Sequence, residues 1–279
     1  MRLSILVVSR TAALINRLCD SLDAACSLAP MEVEVLCSWN GSDVEEAQIR
    51  NNSRYDFHLA QRAPYHFASN MNALAGLAGG EILMFANDDL ILDPGCVDAA
   101  LNLLRSRPEV GLVGALLRDQ QGFLSHAGIN FDLRCSSYHL LDRLLPVAKI
   151  ANGMIPSAPV AAVTGALQWI ERDTFLKHPF NSEYEVNGED VELCLDVQQH
   201  LGQQVWLCTE ASAIHNAETT RSQDPLQAGN SVDELRLRAR TRQFLENSTG
   251  EQLRMLLQQQ QRESQLLRDE LDQEFGNAK

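Results

Sequence analysis

The sequence predicts an α/β protein in which a mostly parallel central sheet is flanked by helices and followed by a C-terminal helical tail. Three observations predict it. From Leu3 to Leu116, short apolar runs alternate with helical periods, the pattern of βαβ units. The runs carry apolar residues on consecutive positions, as strands buried on both faces do. From Glu251 the composition shifts to uninterrupted helix formers. The chain has 279 residues, 45% hydrophobic and 22% charged, an ordinary globular balance with enough length for a substantial core.

Each element follows from local chemistry. Leu3 to Val8 is β-branched and apolar, a first strand. Leu14, Leu18 and Leu22 mark the helix after it. Val33 to Cys37 is a second strand, closed by the Asn40-Gly41 turn signal. Val44 to Arg50 reads as a short helix and Phe57 to Leu59 as a third strand. A helix over Ser69 to Ala78 stops at Gly79-Gly80. Ile82 to Ala86 is a buried strand, Pro94 to Arg105 a helix and Gly111 to Leu116 another strand. Leu133 to Pro159 has no period and three prolines, so it reads as a long loop with a short helix near Tyr138 to Leu144. Val163 to Ile170 is a strand, Arg172 to Lys177 a helix, and Val191 to His200 an amphipathic helix. Val205 to Cys208 is a late strand and Ser231 to Glu246 a charged helix. In the tail, leucines recur at 253, 256, 257, 267 and 271, broken by Gln260 and Ser264. That pattern suits a docked or solvated helix, self-association or contact with a partner.

The stretch Glu81 to Pro94 carries the sharpest local signal. An apolar strand runs into Asn87, Asp88 and Asp89. Open α/β sheets bind ligands outside the carboxyl ends of their strands. Adjacent acids there need a compensating cation or basic group, or they cap the helix that Pro94 helps start. Right-handed crossovers place the ends of strands one, two and four along one sheet edge, so that Ser9, Asn40 and Asp89 face one crevice. Two more clusters follow. Glu189 and Asp190 open a helix, where acids also serve the macrodipole. His215 follows the last strand.

Composition excludes several classes. A net charge of −14 argues against a nucleic-acid surface, which needs clustered Lys and Arg. It does not exclude a nucleotide diphosphate bridged by a cation. Seven cysteines include no C-x-x-C pair, which suits reduced, buried thiols in a cytoplasmic protein. No apolar run reaches the ~20 residues of a membrane span, and the N-terminus reads as a strand and not a signal peptide. The expected setting is therefore cytoplasmic, free or peripheral to the inner membrane.

The ordered set has a meaning beyond its parts. An apolar strand ending in N-D-D, a long loop, T-G-A, G-E-D at a helix start and then a strand ending in I-H resembles the family 2 glycosyltransferases over about residues 3 to 245. The densest part is F-A-S-N-M-N-A-L-A-G-L-A-G-G-E-I-L-M-F-A-N-D-D; V-G-L-V-G-A-L-L, S-H-A-G-I and V-T-G-A-L-Q-W-I-E-R add to it. The resemblance implies the GT-A fold, with a Rossmann-like central sheet and a nucleotide-sugar donor. It implies residues 1–250 as the catalytic domain (1–120 nucleotide-binding, 121–250 acceptor-side), with 251–279 as the tail. It also implies an inverting displacement on a glycan or other hydroxyl acceptor, assisted by Mn²⁺ or Mg²⁺. Residue by residue, Asp89 and His215 would hold the metal, Asp190 would be the general base, and Glu189 would position the acceptor. Ser9, Arg10, Asn40, Asn72 and Asp88 would line the nucleotide-sugar, and His126 and Trp169 the acceptor side.

The chain departs from the family pattern at three places. Asn87 stands where the first acid of a D-x-D motif is usual. Trp39 stands where an acid often reads the nucleobase, and it either stacks on the base or packs. The first strand ends in Ser9-Arg10. Two rival readings use the same fold: a sugar-nucleotide nucleotidyltransferase, or a non-catalytic nucleotide-binding scaffold acting through the tail. The absence of glycine from Ser9 to Ala13 counts against the first. Asp89, Asp190 and His215 count against the second.

Overall fold

A computed structural model describes residues 2–142, 155–215 and 231–276. The strands of its main sheet are β1 (Leu3–Ser9), β2 (Val33–Trp39), β3 (Asp56–Arg62), β4 (Ile82–Asn87), β5 (Leu90–Leu92), β6 (Val110–Arg118), β7 (Leu124–His126), β10 (Ala158–Pro159), β11 (Leu167–Glu171) and β12 (Gln204–His215). They are ordered β10-β12-β6-β11-β4-β1-β2-β3, with β5 paired to β12 and β7 to β6. β8 (Ile129–Phe131) and β9 (Ser137–His139) form a separate hairpin. The β3-β2-β1-β4 block is parallel throughout, as its crossovers require. β11 runs antiparallel between β4 and β6, so the second half is a mixed sheet.

The helices are α1 (Ala12–Ala25), α2 (Asp43–Glu46), α3 (Phe67–Leu77), α4 (Cys96–Ser106), α5 (Arg172–Lys177), α6 (Glu189–His200), α7 (Ser231–Asn247) and α8 (Gly250–Gly276). Every residue of β1 is buried, and its alternation sorts the layers. Ile5 and Val7 pack with Ile15, Leu18 and Leu22 of α1 and Val97 and Leu101 of α4. Leu6 and Val8 belong to the opposite cluster, with Met71 and Leu74 of α3 and residues of α6, α7 and α8. The two-sided burial explains why these strands read as continuous apolar runs.

Several elements differ from the sequence reading. The helix expected to Arg50 is the single turn α2, where Ser42 Oγ accepts from Glu45 N at 3.3 Å. β5 was not anticipated; it is a three-residue strand directly after the acids. Val163 and Thr164 are irregular, Gly165 and Ala166 form a turn, and β11 starts only at Leu167. β12 extends past Cys208 to His215, because it pairs with β6 and then with β5 across an irregular stretch between Cys208 and Ser212. Ser137–His139 is strand and not helix; residues 143–144 of the expected helix lie outside the described residues.

The tail helix docks on the domain. Leu256 and Leu266 enter the core shared with α6 and α7. Gln259 accepts from Ala161 N at 3.3 Å and donates to Ile129 O at 3.5 Å. Glu263 accepts from Tyr138 Oη at 3.1 Å and from Leu141 N at 3.4 Å. Leu253 and Leu257 point outward.

Candidate active site

The parallel register sets the site. Val8 lies opposite Asn87 and Ser9 opposite Trp39, so β1, β2 and β4 end at the same level. The chain leaves these strands into a cavity of about 380 Å³ lined by Ser9, Arg10 and Asn40 on one side and Asp88 and Asp89 at its centre. Glu189, Asp190, His126 and His215 close the other side. Residues as far apart as Ser9 and His215 converge because the parallel strands end at one edge and the antiparallel β11 starts there.

At the ends of β1, β2 and β4, Ser9 Oγ donates to Asp88 Oδ2 at 2.7 Å, and Ser9 O accepts from Asn40 N at 3.0 Å. Burial, reinforced by the Asp89 charge, pushes the Asp88 carboxyl up to about 7 against the Ser9 hydrogen bond. Asp89 is 6% exposed, and its Oδ1 finds no hydrogen-bond donor. His215 Nε2 stands 3.3 Å from that oxygen and 3.3 Å from Asn87 Nδ2. The Asp89 contact falls within ion-pair range but lacks hydrogen-bond geometry, whereas Asn87 Nδ2 donates to the ring nitrogen. β5 produces it, because Leu90 of β5 lies opposite His215 of β12. A buried carboxylate oxygen with no donor, facing an imidazole nitrogen, fits a divalent cation. Among the described residues no group of three His, Cys, Asp or Glu side chains could enclose an ion. Asp89 and His215 alone would leave most positions on a cation to ligands from outside the protein.

On the opposite side, Asp190 Oδ2 accepts from Gly165 N at 2.7 Å and its Oδ1 from Val191 N at 2.8 Å. Each oxygen keeps a second lone pair. A β carbon on Gly165 would meet Asp190 Cβ at 3.0 Å, so the turn that replaces the start of the expected strand fits closely around this carboxylate. One residue earlier, Thr164 N donates to His126 Nε2 at 3.3 Å, which leaves that nitrogen unprotonated. His126 is then neutral, with its Nδ1 proton directed to His139 Nδ1 at 2.9 Å. Burial, helped by the neighbouring His139 and His215, holds its pKa well below the usual histidine value. A second cavity of about 500 Å³ shares His139, Thr164, Glu189 and Asp190 with the first.

Two predicted residues lie elsewhere. Trp169 is fully buried in the α1–α4 core, because its parity on β11 turns it from the cavity. Asn72 grips the Phe180 backbone, donating to O at 2.8 Å and accepting from N at 3.0 Å. Trp39 is 2% exposed and packs against Ala12 and Cys37, so it does not stack on a base. The cavity also holds Tyr65, Ser125, His139, Asp142 and Thr164, which the sequence reading missed. Of these, Thr164 carried a signal as part of T-G-A and Ser125 as part of S-H-A-G-I. A larger groove of about 910 Å³ between α6, α7 and α8 has glutamine at eight of its twenty lining positions; among the described residues its one carboxylate is Glu251.

The fold recurs in known proteins. The chain aligns to a mannosyltransferase from Pyrobaculum calidifontis in complex with GDP-Man and Mn²⁺, with TM-score 0.58, 14% identity, and 78% of this chain and 58% of that one covered. It aligns to GalNAc-T7 with UDP, GalNAc and Mn²⁺ at TM-score 0.58 and 13% identity, covering 77% and 44%. A third match is TarS 1-349 of S. aureus in complex with UDP, at TM-score 0.58 and 12% identity, covering 89% and 66%. The fold is that of the GT-A glycosyltransferases. By sequence, the O-antigen biosynthesis protein RfbC of Myxococcus xanthus is 27% identical over 178 residues. The uncharacterized protein y4gI of Sinorhizobium fredii is 28% identical over 183 residues. The matched region spans 58% and 63% of this chain but only 13% and 20% of those proteins. No family model matches the chain. Among the described residues no helix is long and apolar enough to cross a membrane.

Proposed function

We propose that the chain is an inverting, divalent-metal-dependent glycosyltransferase of the family 2 type. It transfers a sugar from a nucleotide-diphosphate sugar to a hydroxyl of a growing polysaccharide or other glycan. The setting is cytoplasmic, free or peripheral to the inner membrane. The observation that carries this reading is the convergence of the Asp89–His215 pair and the Asp190 carboxylate on one cavity at the strand ends. The GDP-Man and UDP bound to GT-A neighbours and the O-antigen role named for one relative support it.

The roles follow from placement. Asn40, Arg10 and Ser9 border the nucleotide, with Ser9 also holding Asp88 in place. Mn²⁺ or Mg²⁺ held by Asp89 and His215 would offset the charge that builds on the diphosphate leaving group. Asp190 takes the proton of the acceptor hydroxyl as it attacks the anomeric carbon, work typically worth ~10²–10⁴ in rate. The backbone amides of Gly165 and Val191 keep that carboxylate oriented. Glu189, buried beside it, positions the acceptor, which enters from the second cavity past His139 and Thr164. His126 buttresses the wall by accepting from Thr164 N. One base and one displacement give inversion.

A thermal-shift screen of nucleoside diphosphates with and without Mn²⁺ tests the donor half, since a specific ligand raises the unfolding temperature by mass action. Product analysis tests the reaction. Slow hydrolysis of a nucleotide-sugar to free sugar and nucleoside diphosphate supports a transferase. Pyrophosphate exchange with a nucleoside triphosphate would indicate a nucleotidyltransferase, and binding without turnover a scaffold.

A further inference from the structure

The segment just ahead of Glu189 and Asp190 is held from outside its own helix. α6 has Gly188 as N-cap, at φ +115°, with no side-chain cap. Asp233, in the first turn of α7, supplies the missing anchor. It is fully buried, and its carboxylate accepts from three consecutive amides: Glu185 N at 3.1 Å, Val186 N at 2.8 Å and Asn187 N at 3.3 Å. Successive amides converging on one anion form a nest, here filled by a side chain of the same protein. Arg236, one turn on, extends the grip. It donates to Glu183 O at 2.6 Å, pairs with the Glu183 carboxylate at 3.0 Å and lies 5.4 Å from the centre of the Tyr184 ring. Tyr184 in turn blocks any β carbon at position 188, with a ring atom 2.6 Å from where it would sit.

We propose that Asp233 is a positioning residue for the reaction: it fixes residues 185–187, and through them the first turn of α6, so that Asp190 meets the acceptor hydroxyl in attacking geometry. This rests on the reading of Asp190 as general base. The carboxylate's hydrogen bonds go to the amides of residues 185–187 and not to Ser9, Arg10, Asn40, Asp88 or Asp89, so its loss should separate turnover from donor binding. A misplaced base lowers the rate of the chemical step without weakening a ground-state complex made elsewhere.

The test uses the full chain with Asp233→Asn, which keeps shape and one accepting carbonyl, and Asp233→Ala, which removes the nest's anion. Hydrogen exchange by peptide, the Kd for a nucleoside diphosphate with Mn²⁺, and kcat and KM for transfer or donor hydrolysis are read together. The expected result is exchange at residues 185–190 faster by tenfold or more in Asp233→Ala. kcat should fall 10- to 100-fold, while nucleotide Kd and donor KM stay within twofold; Asp233→Asn should lie between wild type and Ala. Faster local exchange with unchanged kcat would overturn the proposal. So would a uniform rise in exchange with loss of cooperative unfolding in the Asn variant, which would make Asp233 a general stability residue. Failure of the underlying reading looks different: kcat would then be insensitive to Asp190→Asn while Asp233 still protects residues 185–190.

Discussion

Two carboxylates carry separable halves of the proposed reaction, and single substitutions distinguish them. Asp190→Asn keeps an acceptor oxygen for Gly165 N but removes the base. Transfer should fall by about 10²–10⁴, with Mn²⁺-dependent nucleotide binding intact by calorimetry; a parallel loss of binding would refute the base assignment. Asp89→Asn should weaken nucleotide binding only when Mn²⁺ is present, and equal weakening in EDTA would remove the metal role. Gly165→Ala approaches the same base through sterics: a β carbon 3.0 Å from Asp190 Cβ must displace one of them. Activity should drop at least tenfold with little change in nucleotide affinity. The acids were legible because short polar clusters after apolar runs stand out in any chain. Trp169 was not, because β11 reads L-Q-W-I-E, apolar at both parities, and only its partners β4 and β6 decide which face each residue takes. Asn72 and His139 were obscured for a related reason: their partners lie on segments with no period to announce them.

At the scale of elements, β5 and β12 matter more than their sequences suggest. Asp93, just past β5, pairs with the guanidinium of Arg118 from β6 and accepts from Ser212 Oγ of β12. This bracket holds the ladder that sets His215 opposite Leu90, beside Asp89. Burial alone would raise the Asp93 carboxyl, but the hydrogen bonds from Arg118 and Ser212 outweigh it and hold its pKa below the usual carboxylate value. A depressed native pKa contributes stability above the unfolded value near 3.9 and loses it as pH falls through the native value. Asp93→Asn should therefore destabilise by about 1–3 kcal/mol at neutral pH, and the gap from wild type should close below pH 4 in acid-unfolding curves. A gap of constant size would remove the titration account. The β1–β4 block was readable because parallel crossovers impose a regular alternation. β12 was readable only to Cys208, where T-E-A-S breaks the apolar run and pairing with β6 and then β5 carries the strand on.

Across the whole molecule, the tail helix is continuous in packing with the core that α6 and α7 share, though distinct in composition. Burying a leucine contributes about 1.5–3 kcal/mol, so Leu256 and Leu266 make removal of α8 costly. Truncation after Thr249 should lower the melting temperature and expose the β8–β9 hairpin, which Gln259 and Glu263 brace, to faster exchange. Unchanged melting would restore the tail to a separate unit. The leucine spacing could not show this docking, because its partners, Tyr138, Leu141 and Ala161, come from the segment with the weakest pattern. The two cavities that share a wall at His139, Thr164, Glu189 and Asp190 have a kinetic corollary. On the proposed roles, donor and acceptor would occupy separate chambers, so neither would have to leave before the other arrives, and no covalent glycosyl-enzyme would be needed to bridge them. Initial rates at varied concentrations of both substrates should give intersecting double-reciprocal lines. Parallel lines, the mark of a ping-pong enzyme, would mean that the wall separates two half-reactions instead of joining two partners in one.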